Sequence, residues 1–243
     1  AILLLSAGDI EPNPGPQSHT APTTTSATTS TGMINFGYIN INSAINKSAL
    51  IHDLISSHSL NILALSETRF RQNTHNAIKN DIAPAGFSVS HVYRKPTAKH
   101  PSGGGLAIVH HSDIIIKAHP LAATISPQSF ELQLVRITST KPSITVVNAY
   151  RPPSLSVAQF YDEFADVLTT ISASTVDQLL VCGDLNSPGV DATSVSSELV
   201  DVLDTFGLKQ HVDAPTRSNP DHLLDVLATD PGLTVRAVRV DSA

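Results

Sequence analysis

The chain has 243 residues, of which 41% are hydrophobic and 15% are charged, and its formal net charge is −6 at pH 7. This length accommodates one sizeable α/β domain with an appendage, and the composition excludes a disordered or membrane-spanning protein. The negative charge predicts weak affinity for nucleic acid, although metal-binding carboxylates also lower the net charge.

The first 16 residues, AILLLSAGDIEPNPGP, end in the pattern D-x-E-x-N-P-G-P. This segment resembles ribosome-skipping peptides of the 2A type, which implies that no peptide bond forms between Gly15 and Pro16 during synthesis. The alternative is a Pro/Gly turn after the apolar core of a signal peptide, although no basic segment precedes it. Residues 17–32 are rich in Ser and Thr and predict a flexible linker, so the folded domain is predicted to span 33–243.

From Ile34 onwards, short β-rich runs alternate with amphipathic segments. In SFELQLVRI, apolar residues alternate with polar ones, as in a strand with one buried face. Helices are predicted over 47–58, 155–172 and 196–206, the last of them ending at Gly207. With roughly ten strands, this pattern predicts two packed sheets flanked by helices.

Polar signatures follow several predicted strands. They are NINS at 40–43, SETRF at 66–70, NAYRPP at 148–153, GDLNS at 183–187 and HLLDV at 222–226. Loops on a rigid sheet can hold functional groups in place. Hydrolysis of a phosphodiester needs an activated water and stabilised charge on phosphorus, which acidic metal-binding residues supply. The signatures therefore predict an acidic, metal-using phosphodiesterase site.

Taken in this order, the signatures resemble the endonuclease/exonuclease/phosphatase superfamily, and most of all the apurinic-type endonuclease domain of non-LTR (LINE-type) retrotransposon polyproteins. The resemblance runs from about Ile34 to the C-terminus. It implies a four-layer α/β sandwich of two mixed β-sheets flanked by helices, with the active site where strand-terminal loops meet. It also implies Mg²⁺ as cofactor, with Mn²⁺ as an alternative.

The resemblance implies a role for each signature residue. Glu67 matches the metal-binding glutamate, and Asn40 matches the asparagine that supports the metal and phosphate site, with a turn-capping amide as its alternative. Tyr150 matches the tyrosine that approaches the scissile phosphate. Asp184 matches the aspartate that transfers a proton or positions the attacking water, and Asn186 the asparagine that holds phosphate.

Further residues complete the predicted site. Asp225 matches the aspartate that orients the catalytic histidine, and Thr216 resembles a family threonine near the substrate. Arg151 is predicted either to contact phosphate or to belong to a rigid turn. The glycine run 103–105 is predicted to be a structural turn. Cys182 is the single cysteine, so an internal disulfide is excluded. It is predicted to be a buried thiol, and this favours an intracellular protein.

The chain ends in VRAVRVDSA, before the Ser-Asp-His-like signature that follows in the family. Asp241 precedes the expected position, and none of His110, His111, His211 and His222 matches the family's histidine. We therefore expect a C-terminally truncated domain that lacks its final strand, and a fragment of a longer product. Losing a well-placed acid/base costs about 10² to 10⁴ in rate, so this polypeptide is predicted to be weakly active or inactive.

Functionally, these features predict a Mg²⁺-dependent endonuclease that nicks target DNA to prime reverse transcription by a downstream reverse transcriptase domain of the same polyprotein. Synthesis in the cytoplasm, access to the nucleus and no membrane association are expected. Two enzyme alternatives are an abasic-site repair nuclease and a lipid or inositide phosphoesterase. The alternative of another class is a non-catalytic remnant that binds nucleic acid or nothing.

Overall fold

The computed structural model of the protein describes residues 1–10, 32–94 and 103–241. In chain order these residues form β1 (Ile2–Ile10), β2 (Gly32–Asn40), α1 (Ser48–Ser57), β3 (Ile62–Ser66), α2 (Asn76–Asn80), β4 (Phe87–Val92), β5 (Leu106–His111), β6 (Ile116–Ala118), β7 (Glu131–Ile137), β8 (Ile144–Tyr150), α3 (Val157–Ser174), β9 (Gln178–Asp184), α4 (Ser197–Thr205), β10 (Lys209–Gln210), β11 (Asp225–Thr229) and β12 (Val235–Asp241), with a 3-10 turn over Pro120–Ala123. The predicted processing point at Gly15 and Pro16 lies outside the described residues, as does the predicted linker except for Gly32.

The described strands form two mixed six-stranded sheets. The first has the order β12-β1-β2-β3-β5-β4 and the second has the order β10-β11-β9-β8-β7-β6. The pairs β2/β3 and β8/β9 are parallel, and the other pairs are antiparallel. This topology confirms the predicted α/β architecture of two mixed β-sheets flanked by helices.

The three predicted helices correspond to α1, α3 and α4, with ends shifted by about two residues or fewer. On α3, Phe160, Phe164 and Ile171 are fully buried at helical spacing, and Phe130 contacts both phenylalanine rings edge-on. The side chain of Ser156 caps the first turn of α3. The short helix α2 was not predicted, because five residues carry too little periodicity. No helix in the described part of the chain is long and apolar enough to cross a membrane.

The second sheet is covered on both faces along β8, where all seven residues are buried. Two of them, Thr145 and Asn148, are polar. Asn148 donates hydrogen bonds from Nδ2 to the carbonyls of Leu65 and Ala107 in the first sheet, and to Gln133 Oε1 on β7. Because an unpaired buried amide is costly, these bonds fix how the two sheets face each other.

β7 differs from its predicted half-buried pattern. Gln133 is only 3% exposed and Glu131 is half-buried, although both lie at positions where solvent was expected. Gln133 is buried because it bonds with Asn148 on the neighbouring strand β8 and with Ser90 on β4 in the facing sheet. Glu131 is held by Arg94 in the same way. Polar alternation here therefore marks contacts between sheets rather than a solvent face.

β1 belongs to the first sheet, although in the sequence it precedes Met33, near which the folded domain was predicted to start. It runs antiparallel between β2 and β12, with Leu3 opposite Tyr38 and Ile2 opposite Asp241. The side chains of Ile2–Leu5 are all buried, because both faces of the sheet are covered there. The apolar start of the sequence thus contributes to the core, whereas the prediction assigned it to a separate peptide of residues 1–16.

Leu3→Ala is expected to destabilise the protein by about 2–5 kcal/mol, because Leu3 is fully buried in the core and its truncation leaves a cavity. Urea denaturation followed by circular dichroism measures the change. Ser88→Ala, at an exposed position of β4, is the control. Equal stability of the two variants would mean that β1 is not part of the folded core.

Candidate active site

Signature residues from both sheets lie at one end of the sandwich. Asn40 ends β2 and Glu67 directly follows β3, its parallel neighbour. Tyr150 and Asp184 end the parallel pair β8 and β9, where they are opposite each other, and Asp225 at the start of β11 is also opposite Asp184. Because the carboxyl ends of these parallel strands share an edge, the topology gathers these polar side chains.

Asn40 connects the two sheets at this end. Its Nδ2 donates to Glu67 Oε1 and to Asp184 Oδ2, each at 2.8 Å. Its Oδ1 accepts from the backbone N–H of Asn42 at 3.0 Å. The side chain therefore does cap a turn, as the alternative prediction held, and it also holds two carboxylates close together.

The loop that carries Glu67 is held in an unusual backbone conformation. Glu67 has φ +52° and Arg69 has φ +57°, in the left-handed region where each non-glycine residue costs about 1–3 kcal/mol. The two residues after Glu67 donate their backbone N–H groups to the carbonyls of Gly105 and Gly104, at 3.0 and 2.7 Å. These bonds offset the strain, and they give the glycine run its structural role.

Burial sets the protonation behaviour of the two aspartates. It raises the pKa of Asp184 to about 6, opposed by hydrogen bonds from Asn40 and from the Asn186 N–H, while the charge of Glu67 raises it further. The pKa of Asp225 is raised by burial and then by the charge of Asp184. Asp184 thus titrates near neutrality, in the range suited to a general base.

Tyr150 closes the site beside Glu67 and is 5% exposed. Burial raises its pKa, and so do the charge of Glu67 and the hydrogen bond between the two side chains. Its phenol therefore stays protonated at physiological pH and can donate a hydrogen bond. The Arg94 guanidinium lies over the ring, 5.5 Å from its centroid.

Arg151 has a different place from the predicted phosphate contact. Its guanidinium is buried and donates to backbone carbonyls, from Nε to Leu185 at 2.7 Å, from Nη1 to Leu155 at 3.0 Å and from Nη2 to Asn186. The Asn186 amide donates back to the Arg151 carbonyl at 2.8 Å. Both side chains therefore shape the GDLNS loop, since the carbonyls buried there need donors.

Thr216 is likewise engaged with the backbone. Its Oγ1 accepts from the N–H groups of Leu224 and Asp225, each at 3.1 Å, and the residue is 7% exposed. This contact fixes the start of β11 and so the position of Asp225. Within the described residues, Asp225 Oδ1 is buried and has no hydrogen-bond partner.

A cleft of about 620 Å³ opens beside Glu67 and Tyr150. Its lining also includes residues to which the sequence interpretation gave no individual role in the site: Ile45, Arg69, Arg71, Thr74, Arg94, Pro152, Pro153 and Ser154. Arg69 and Arg71 make this wall basic although the chain carries a net charge of −6, whereas the charge of Arg94 is paired with that of Glu131. The sequence signal for this basic wall was the pair of arginines shortly after Glu67, in the stretch ETRFR.

The donor set fits a hard divalent cation. Glu67 and Asp184 offer carboxylate oxygens, and Asn40 offers an amide oxygen that also accepts from the N–H of Asn42. Mg²⁺ is commonly bound by one or two carboxylates with several waters. The described residues contain no cluster of three His, Cys, Asp or Glu side chains with the geometry of a metal site. A dedicated all-protein cage is thus not found in the described part of the chain, whereas a water-rich Mg²⁺ site at Glu67 and Asn40 is compatible with it.

The sandwich and the carboxylates at its end define a class of hydrolases that act on phosphate esters. The chain belongs to the Endonuclease/Exonuclease/phosphatase family, whose model matches residues 37–240. No curated protein sequence matches it significantly.

Solved structures with the same fold include three nucleic-acid enzymes. The endonuclease domain of TRAS1, a telomere-specific non-LTR retrotransposon, is similar with a TM-score of 0.56 and 16% identity over 80% of this chain and 84% of that one. The 3′ phosphatase NExo from Neisseria, bound to a product DNA hairpin, is similar with a TM-score of 0.59 and 16% identity over 80% of this chain and 86% of that one. An AP endonuclease from Archaeoglobus fulgidus is similar with a TM-score of 0.54 and 15% identity over 82% of this chain and 88% of that one.

Asp184→Asn is expected to stabilise the metal-free protein at pH 8. The folded-state pKa of about 6 lies above 3.8, the ordinary value for aspartate, so the folded state binds the proton more tightly and loses stability as pH rises through this interval. Removing the charge should raise the free energy of unfolding by up to about 3 kcal/mol at pH 8, and by little near pH 3.5.

Urea unfolding in EDTA at both pH values measures this difference. Asp166→Asn, which removes an exposed carboxylate on α3, is the matched control. An Asp184→Asn protein no more stable than this control at pH 8 would contradict the assigned burial of the Asp184 charge.

Proposed function

We propose that the chain is a Mg²⁺-dependent phosphodiesterase that nicks DNA. The observation that carries this proposal is the basic cleft that opens on Glu67 and Tyr150. The solved structures with this fold include phosphatases as well as nucleases. Of the substrates that these two kinds of enzyme act on, a polynucleotide fits such a cleft best.

The cleft combines cationic and apolar walls. Arg69 and Arg71 are exposed, and the Arg69 guanidinium is held by Asn42 Oδ1 at 2.6 Å. Arginine donors of this kind contact backbone phosphates. Pro152, Pro153 and the half-exposed Ile45 supply an apolar surface that suits sugars and bases. A small phosphate monoester would leave most of these groups unused.

The chemistry follows from the protonation states. Above pH 6 the Asp184 carboxylate is ionised and can take a proton from the attacking water, while Asn40 fixes its orientation. The protonated Tyr150 can donate its single O–H to a phosphoryl oxygen in place of Glu67. Glu67 and Asn40 would hold the cation, and a bound Mg²⁺ would stabilise negative charge on the phosphoryl oxygens.

A role in retrotransposition is the finer part of the proposal. The fold is similar to that of the endonuclease domain of TRAS1, from a non-LTR retrotransposon. Departure of the 3′ oxygen at a nick leaves a 3′ hydroxyl, which a reverse transcriptase of the same polyprotein could extend. Such a role requires access to nuclear DNA.

A second candidate function is binding without cleavage. Asp225 Oδ1 is buried without a partner among the described residues, and the resemblance implies a histidine as that partner. If this acid/base group is not supplied, cleavage is expected to be about 10² to 10⁴ slower, while the arginine wall could still bind DNA.

Plasmid nicking separates these candidates. With Mg²⁺ or Mn²⁺, the 1–243 protein is expected to convert supercoiled plasmid to the open circle only slowly, because Asp225 Oδ1 has no partner among the described residues. EDTA should abolish this nicking, and Asp184→Ala should slow it by a further factor of about 10² or more. Asp166→Ala is the control. Nicking that persists in EDTA or in Asp184→Ala would overturn the proposal.

The same preparations distinguish the alternatives. Salt-dependent DNA binding without nicking would favour the binding function. Hydrolysis of p-nitrophenyl phosphate or an inositol phosphate without nicking would instead place the chain among the family's small-molecule phosphatases.

A further inference from the structure

A buried ion pair behind the site joins the two sheets. Glu131 begins β7 in the second sheet, whereas Arg94 follows β4 and Gly105 precedes β5 in the first. Glu131 Oε1 accepts from Arg94 Nε at 2.5 Å, and Oε2 accepts from the N–H of Gly105 at 2.6 Å. The two charged side chains are only 11% and 14% exposed, so this contact is not a surface ion pair.

One arm of this contact leads to Glu67. The glycines at 103–105 have φ values of +90°, +67° and +90°, and a Cβ atom at Gly104 would overlap the Glu131 carboxylate. The carbonyls of Gly104 and Gly105 accept from the two residues after Glu67. Glu131 therefore holds the glycine turn in place, and the glycine turn holds the strained backbone at Glu67 in place.

The other arm leads to Tyr150. Glu131 is directly opposite Tyr150 in the β7/β8 register. Arg94, bound by Glu131, lies over the Tyr150 ring at 5.5 Å from the centroid. The phenol is thus held from one side by Arg94, while its hydroxyl contacts Glu67.

We propose that Glu131 is a positioning residue, which sets Glu67 and Tyr150 in their mutual geometry through Gly105 and Arg94. Glu131 is not among the described residues that line the cleft, so it acts without touching substrate. This inference rests on the proposed function, because Glu67 and Tyr150 hold their roles in metal binding and phosphate contact only there. Outer-shell groups of this kind typically change metal affinity or activity by about 10- to 100-fold.

Terbium luminescence tests the inference without using activity. The chain has four tyrosines and no tryptophan, so Tb³⁺ bound beside Tyr150 is sensitised by tyrosine alone. Glu131→Gln keeps the size of the side chain but cannot accept from both Gly105 and Arg94. Its apparent Tb³⁺ affinity is expected to fall about 10- to 100-fold, with kcat for nicking lowered similarly and KM changed little.

Glu163→Gln is the matched control. Glu163 Oε2 accepts from the N–H groups of Gln128 and Ser129, each at 2.8 Å, so it holds a loop by the same chemistry without contacting the glycine turn. A folded Glu131→Gln protein with the Tb³⁺ affinity and kcat of this control would overturn the inference. If Glu131→Gln does not fold by circular dichroism, Arg94→Lys tests the second arm: kcat should fall about tenfold with Tb³⁺ affinity retained, and an unchanged kcat would overturn it.

The two proposals fail in different ways. Wild-type protein that gives no tyrosine-sensitised emission and no nicking would overturn the proposed function, and this inference with it. If the wild-type protein binds Tb³⁺ but does not nick, the comparison of Tb³⁺ affinity between Glu131→Gln and Glu163→Gln decides the role of Glu131.

Discussion

The site depends on one amide group placed between two carboxylates. Asn40 Nδ2 donates to Glu67 from its own sheet and to Asp184 from the facing sheet. Two neighbouring like charges repel each other, and a donor between them reduces that repulsion. The two sheets must therefore meet in one relative position at this end, and the buried Asn148 amide imposes the same requirement further along β8.

The sequence predicted the architecture better than the side-chain contacts. Apolar runs and the stripe of α3 carry the fold, because burial follows periodicity. β1 was not predicted as a strand of the sheet, because its apolar residues precede the short D-x-E-x-N-P-G-P signature and were interpreted together with it. For Asn40, Glu67 and Asp184, the positions after strands were enough to predict that they meet, since strand ends share an edge.

Contacts of buried polar groups could not be predicted in this way. Arg151 and Thr216 belong to residue types that bind phosphate on a surface, yet here they saturate backbone groups in the interior. Which of these roles an arginine takes depends on whether carbonyls of a distant loop lack donors. Glu131 was hidden for the converse reason, because a charged residue that alternates with apolar ones resembles a solvent-facing position.

The pairing of β1 has a consequence for biosynthesis. Leu3 is opposite Tyr38 on one side and Val240 on the other, so one edge of β1 pairs with the most distant strand of the described residues. Contacts between such distant segments slow folding, because a long loop must close before they form. Until β12 has been made, that edge of the apolar strand stays unpaired, and unpaired strand edges favour aggregation.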